Sequence, residues 1–212
     1  MYKRINVLLI SLLATSLYSA EGTEDKKESV FDEVVVTAQR VEQSLQDVPI
    51  SVSAFSAAQI DEQQIETGGD LQVVVPSLTF VKDGARGGQF GIRGISNGAT
   101  SNTADTGVEV HMNSLPMGST TMQDGEFFDM QRIEVLRGPQ GTLFGKNSVA
   151  GAINLITNKA DSAEFTSDIG LDLHQYNGQR VKGHVNLPLN DSLAVRVAYL
   201  GYERDGYVNN IY

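Results

Sequence analysis

"RGPQGTLFGKNSVAGAINLIT", from Arg137 to Thr157, crowds glycines around a lysine as nucleotide-binding loops do. A phosphate-binding loop needs a first glycine where Gln140 stands and a Ser or Thr where Asn147 follows Lys146, so that backbone amides wrap the phosphates and a hydroxyl reaches magnesium. The stretch then runs into the apolar "AINLIT", which reads as a strand, and no long amphipathic helix follows to present its N-terminus to an anion. Nucleotide binding is therefore not its chemistry. What remains is a glycine-rich turn between two strands, "RIEVLR" and "AINLIT", and that reading sets the class of the surrounding domain.

Working upstream, "VPISVSAF" reads as a strand, and Ser56 followed by Gln59 is a capping-box signal for a helix over residues 57–65, ended by Gly68 and Gly69. Asp70 then caps a second short helix that must stop near Val75, because Pro76 disfavours helical geometry in the residue before it. Short strands are expected at "LTFVK", "QFGIRGI" and "VEVHM", separated by long loops rich in Ser, Thr, Asn and Gly. Together these make a small mixed domain over residues 48–159 whose loops exceed what connection requires, the usual place for binding.

The last fifty or so residues change pattern. Ile169, Leu171 and Leu173, then Val181, Gly183, Val185 and Leu187, then Leu193, Val195, Val197 and Tyr199 alternate with mostly polar or small residues, with turns at "YNGQ" and "LNDS". These are long strands with one apolar face, compatible with an outer-membrane barrel or with a soluble antiparallel sheet.

At the other end, Lys3 and Arg4 precede an apolar run over residues 5–17, followed by Ser19, Ala20 and Gly22. That run falls short of the ~20 residues of a membrane-spanning helix. It reads as a signal peptide over residues 1–20, with cleavage after Ala20 or Gly22. Without it, 14 basic residues face 26 acidic ones, a formal charge of -12, which makes nucleic acid a poor partner. There is no cysteine, so disulfides, thiolate metal sites and cysteine nucleophiles are excluded. His111, His174 and His184 lack metal-ligand spacing and read as surface histidines, and no serine sits in a nucleophile-elbow setting. Neither catalysis, a metal nor a cofactor is expected. Within the polar leader over residues 21–47, the charged "EGTEDKKES" cannot bury enough apolar surface to fold. It ends at "FDEVVVTAQR", an isolated β-prone segment, either an edge strand of its own domain or one kept free for another protein.

These segments resemble those of the TonB-dependent outer-membrane receptors. "DEVVVTAQR" (residues 32–40) resembles the TonB box, "FGIRGI" the family's Ile-Arg-Gly strand, and "VEVHMNSLP" its central hairpin. "FDMQRIEVLRGPQGTLFGKNSVAGAINLITNK" resembles its most diagnostic segment and "VRVAYLGYERDGYVNN" an early barrel hairpin. The implied fold is α+β, a plug domain followed by the first antiparallel strands of a barrel over residues 160–212. Relatives usually turn the hairpin with Asp-Gly where Asn113 and Ser114 stand, and follow the helix-ending proline with glycine where Ser77 stands. They close about 22 strands around the plug; with material for some three strands, the chain is expected to be a fragment or truncated product of a transporter.

The resemblance also assigns roles. Glu33, Val34, Val35, Val36, Thr37 and Ala38 would bind TonB, which works with its inner-membrane energising complex. Arg93 and Arg137 would pair with carboxylates on the barrel wall, and in a fragment would lie exposed or borrow a local carboxylate such as Glu134. Gly138 and Gly141 would supply backbone angles closed to other residues and Gly145 close packing, in a structural turn. The implied function is energised uptake of a scarce ligand, an iron siderophore by family base rate, with cobalamin, haem and oligosaccharide as alternatives. The completed barrel would face outer-membrane lipid. The alternative of another class is a soluble periplasmic ligand-binding module.

Overall fold

The computed structural model describes residues 35–37, 41, 43–83, 87–96 and 106–206. The expected signal peptide, Glu33, Val34, Ala38 and the last six residues lie outside the described residues. Val35–Val36 (β1) pairs antiparallel with Gln43–Ser44 (β2), so the valine segment is not kept free: it is the edge of a local hairpin. A turn of 3-10 helix over Leu45–Asp47 leads to Ser51–Ser56 (β3).

The capping box forms as expected: Gln59 N donates to Ser56 Oγ at 3.4 Å and Ser56 N to Gln59 Oε1 at 3.0 Å, opening Ala57–Glu62 (α1). The helix ends earlier than Ile65. Gln64 takes a left-handed conformation (φ 52°), Gln64 N–H reaches Asp61 C=O and Ile65 N–H reaches Ile60 C=O at 2.9 Å, a Schellman closure made without glycine. Both isoleucines thereby turn into the core. Gly68 and Gly69 open the next helix instead, Gly68–Val74 (α2), and its cap is Thr67, with Asp70 three residues in as the returning half of the box. Val75 is extended before Pro76, as the proline requires.

Leu78–Asp83 (β4), Gly87–Ile92 (β5) and Ile95–Ser96 (β6) form a small antiparallel sheet. The expected strand through "FGIRGI" is broken at its middle, where Arg93 (φ 55°) and Gly94 (φ 79°) reverse the chain. Val108–Met112 (β7) and Leu115–Pro116 (β8) are joined by Asn113 and Ser114, both at positive φ, the geometry of a tight hairpin. Asn113 steadies it from the side: its amide donates to Thr157 Oγ1 at 2.9 Å and accepts from Thr157 N at 3.1 Å. Thr120–Gln123 (α3), Met130–Arg137 (β9), Gly141–Phe144 (α4) and Gly151–Thr157 (β10) complete this part.

The central sheet has the order β3-β9-β10-β7-β8, parallel between β10 and β7 and antiparallel elsewhere. Both faces are covered, and the period of two along β9 sorts its residues between them. Ile133 and Val135 join Ile153, Leu155, Val108 and Val110 under α1, α2 and β4–β5. Leu136 points the other way and meets Ala152, Phe144 and Val36. Each fully buried aliphatic side chain contributes about 1.5–3 kcal/mol, so the larger cluster holds the domain and the smaller one holds what lies against its second face. Gly151 marks a close approach of two backbones, since a Cβ there would lie 2.2 Å from the Leu136 carbonyl oxygen. His111, read as a surface residue, is buried on that second face with its ring 5.3 Å from that of Phe144.

Thr166–His174 (β11), Gly178–Asn190 (β12) and Leu193–Glu203 (β13) form a separate antiparallel sheet. Tyr176 and Asn177 make the first turn at positive φ. Ile169, Leu171, Leu173, Val185, Leu187, Val195, Val197 and Tyr199 share one exposed face, Ile169 at 80% and Leu173 at 75%. The opposite face carries Arg180, Lys182, His184, Asn186 and Arg196, with Arg180 and Asn186 buried.

Candidate functional site

Two places concentrate polar chemistry. The first surrounds the N-terminal strand. Val36 is fully buried in the smaller apolar cluster, whereas Val35 is 42% exposed. The next residue, Thr37, donates its backbone N–H to Glu134 Oε1 at 2.7 Å, and its hydroxyl lies 3.0 Å from the same oxygen and 3.3 Å from Oε2. Glu134 is wholly buried on β9. Its carboxylate also accepts from Arg132 Nε at 2.8 Å and from Asn154 Nδ2, on β10, at 3.1 Å. A buried carboxylate is tolerated only when it is paired and hydrogen-bonded, and this one has a cation, an amide, a hydroxyl and a backbone donor.

The second place is the junction between the mixed domain and the terminal sheet. Arg180 of β12 is buried between two carboxylates, pairing through Nη1 with Glu66 and through Nη2 with Glu126 at 2.7 Å. Arg196 of β13 holds Asp129 with two parallel bonds, Nε to Oδ2 at 2.9 Å and Nη2 to Oδ1 at 2.6 Å. Lys182 reaches Asp61 at 3.3 Å. Asp129 sits at φ 50° just before β9 and receives the Asn158 amide at 2.9 Å. Burial opposes its ionisation; hydrogen bonds from Arg196 and Asn158 and the charges of Arg196 and His184 outweigh burial, so its carboxyl titrates below the ordinary aspartate value. Beside these pairs lies a cleft of about 930 Å³ walled by both parts, including Asp61, Asp129, Asp172, His174 and Arg196.

This polarity differs from the sequence reading, which looked to arginines of the mixed domain. At the junction, among the described residues, the cations come from the strands and the carboxylates from the domain. Arg93 is exposed in its turn. Arg137 is half-buried with its Nε lacking a hydrogen-bond partner, and Glu134, its suggested local carboxylate, is engaged by Arg132. The acidic residues of the junction stand in loops or at an exposed helix position with no motif of their own. The signal that was legible is the charge on alternate positions of β12 and β13, Arg180, Lys182 and Arg196, facing away from the apolar row. Of the glycines in the turn, Gly138 (φ 116°) and Gly145 (φ 95°) require their conformational freedom; Gly141 instead opens α4, and a Cβ at Gly145 would meet nothing within 4 Å, so close packing is not its role. Among the described residues no cluster of His, Asp or Glu is arranged to hold a metal.

The family model described as TonB-dependent Receptor Plug Domain matches residues 44–152. The vitamin B12 transporter BtuB of Vibrio vulnificus is 31% identical over 167 residues, 74% of this chain and 26% of that protein. The iron-regulated outer membrane virulence protein of Vibrio cholerae serotype O1 is 28% identical over 214 residues, 95% of this chain and 32% of that protein. Among solved structures, the ferric yersiniabactin uptake receptor FyuA of Yersinia pestis superposes with a TM-score of 0.62 at 26% identity, over 71% of this chain and 24% of that one. The chain thus spans about a quarter to a third of the length of these curated relatives.

Proposed function

Since the chain belongs to the family of TonB-dependent receptor plug domains, we propose that it is the plug-bearing part of an outer-membrane receptor that takes up a scarce ligand, an iron siderophore, with energy delivered through TonB. The observation that carries this reading is the two-sided terminal sheet. Its inner face is ion-paired to the mixed domain through Arg180, Lys182 and Arg196, while its outer face leaves Ile169, Leu171, Leu173, Val195 and Tyr199 exposed. A soluble module would expose such a continuous apolar face to water; a barrel wall turns it to lipid.

In this reading residues 1–20 are the signal peptide, 21–47 the leader with its TonB box over 32–40, 48–159 the plug and 160–212 the first barrel strands. Glu33 to Ala38 pair with TonB as an added strand in the periplasm. A pull on that strand, driven by the energised inner membrane, rearranges the plug and opens a path past it. Arg93 and Arg137 face carboxylates on the rest of the barrel wall, the partial burial of Arg137 with an unpaired Nε being the support for this.

Uptake of radiolabelled ferric siderophores and of cobalamin by cells expressing the complete receptor, with and without TonB, tests the proposal. Accumulation of a ferric siderophore only where TonB is present is expected. Accumulation independent of TonB overturns the energised reading, and accumulation of cobalamin alone overturns the ligand.

A further inference from the structure

Arg180, Lys182 and Arg196 tie the terminal sheet to the mixed domain, and what faces each of them across the sheet differs. Lys182 stands opposite Gly170 on β11. Arg196 stands opposite Asn186 on β12, whose side chain is already committed: it accepts from Asp161 N at 2.9 Å and donates to the carbonyls of Asp161 and Glu164 at 2.8 and 2.7 Å. Of the three, only Arg180 has a carboxylate opposite it on β11 or β12, that of Asp172. Opposed side chains of an antiparallel pair share a face, with Cβ atoms about 4.5–5.5 Å apart. Both residues line the cleft.

We propose that Asp172 is a receiving carboxylate: as the plug draws away from the wall, Arg180 passes from Glu66 and Glu126 to Asp172, and its guanidinium is never left without a counter-charge. The proposal rests on the reading of the mixed domain as plug and of the terminal sheet as the start of the barrel wall. Glu66 and Glu126 occupy the two Nη groups of Arg180, while its Nε, the guanidinium nitrogen closest to its own strand, is buried without a hydrogen-bond partner. Asp172 is half-buried, accepts no hydrogen bond among the described residues, and acts on the guanidinium through its charge. A guanidinium carries five N–H donors in a fixed fork, so it can take a carboxylate on the Nε side before it gives up those at Nη. Breaking a buried pair is costly chiefly because the remaining charge is stranded. A third carboxylate within reach removes that cost for the arginine, and Glu66 and Glu126, at 39% and 35% exposure, are taken up by water. Arg196 has no such receiver opposite it. The junction therefore combines a transferable grip at Arg180 with a fixed one at Arg196.

The test uses the complete receptor with spin labels on Glu62→Cys of α1 and Gln179→Cys of β12, both exposed, and reads from their distance the fraction of molecules whose plug has left the wall at a fixed urea concentration. Asp172→Asn keeps the shape and removes the charge that receives Arg180, so the separated fraction is expected to fall about fivefold, the upper end for a water-accessible ion pair. Asp172→Glu keeps the charge and is expected to match the parent. So is Asp168→Asn, which alters a wall carboxylate opposite His184 rather than Arg180. In an Arg180→Met background, Asp172→Asn is expected not to lower the fraction. A separated fraction that is unchanged or raised in Asp172→Asn overturns the handover. An equal fall with Asp172→Glu, or a fall in the Arg180→Met background, also overturns it and makes Asp172 a packing residue. Binding and uptake of a labelled ferric siderophore distinguish this failure from that of the receptor reading. Slower TonB-dependent uptake by Asp172→Asn, with binding at the parental level, supports both. Absence of TonB-dependent uptake in the parent sinks the energised reading, while the distances still decide the handover.

Discussion

Arg196→Met removes the guanidinium that grips Asp129 while keeping much of the apolar stem. The parent pair is bidentate, at 2.6 and 2.9 Å, with side chains only 13% and 15% exposed, so solvent screens it poorly. Removing one partner of such a pair costs about 3–5 kcal/mol, chiefly because the other charge is left buried. Asp129 keeps its bond from Asn158 and a narrow path to water, which places the expected loss near the lower bound, about 3 kcal/mol, or roughly a hundredfold in an opening equilibrium. Because the chain has no cysteine, Ala150→Cys, buried in the larger core, supplies a reporter within it. Its labelling across a urea series in the complete receptor follows opening of the plug. Arg196→Met should label about a hundred times faster at equal urea, and adding Asp129→Asn should recover most of the difference, since removing both charges leaves nothing unpaired. Parental labelling by the single variant would refute the reasoning; a double variant no better than the single would show that the arginine acts through packing.

The depressed titration of Asp129 gives a related expectation: its contribution is full above the unfolded aspartate value of about 3.9 and is lost as pH falls through the lower folded value, so protection at Ala150 should decline below about pH 4, and less steeply in Arg196→Met. Ser114→Gly should raise the urea midpoint, by about 1 kcal/mol after the entropy of glycine is counted, because Ser114 holds φ 69° at an exposed turn. Ser77→Gly, at φ 65°, should do the same, and a fall in either midpoint would contradict the strain. Gly151→Ala should destabilise the plug by about 3 kcal/mol or more, as its Cβ meets the carbonyl of a paired central strand; an unchanged midpoint would mean that β9 and β10 can spread.

The strands were the most legible part of the fold. Alternation along residues 130–137 and the apolar run of 151–157 carried the central pair, and the capping box at Ser56 and Gln59 survived into the structure because it is a purely local set of bonds. Helix ends were less legible. Gln64 closes α1 in a conformation that glycine usually takes, so Gly68 was the more visible stop although it belongs to the next helix. Thr67 and Asp70 are both competent caps, and only the backbone path decides between them. The docking of Val36 was hidden for a different reason: its partners Leu136, Phe144 and Ala152 are a hundred residues or more away, and the segment between them carries no periodicity that announces the contact. Glu134 likewise reads as the polar position of an alternating strand, and only a sheet covered on both faces reveals it as buried. Separation in sequence also hid the junction, where Glu66, Glu126 and Asp129 find their arginines across separate elements.

The central claim, that the docked N-terminal strand receives the force of an energised receptor, meets its most direct test in Val35→Pro. Proline removes the backbone donor and obstructs strand pairing, while the exposed side chain of Val35 leaves the core of the plug untouched. Binding and uptake of the same labelled ferric siderophore would be measured in parallel on cells expressing the complete receptor. Binding at the parental level with uptake reduced to that of cells lacking TonB is the predicted result, and uptake equal to the parent's would contradict the account.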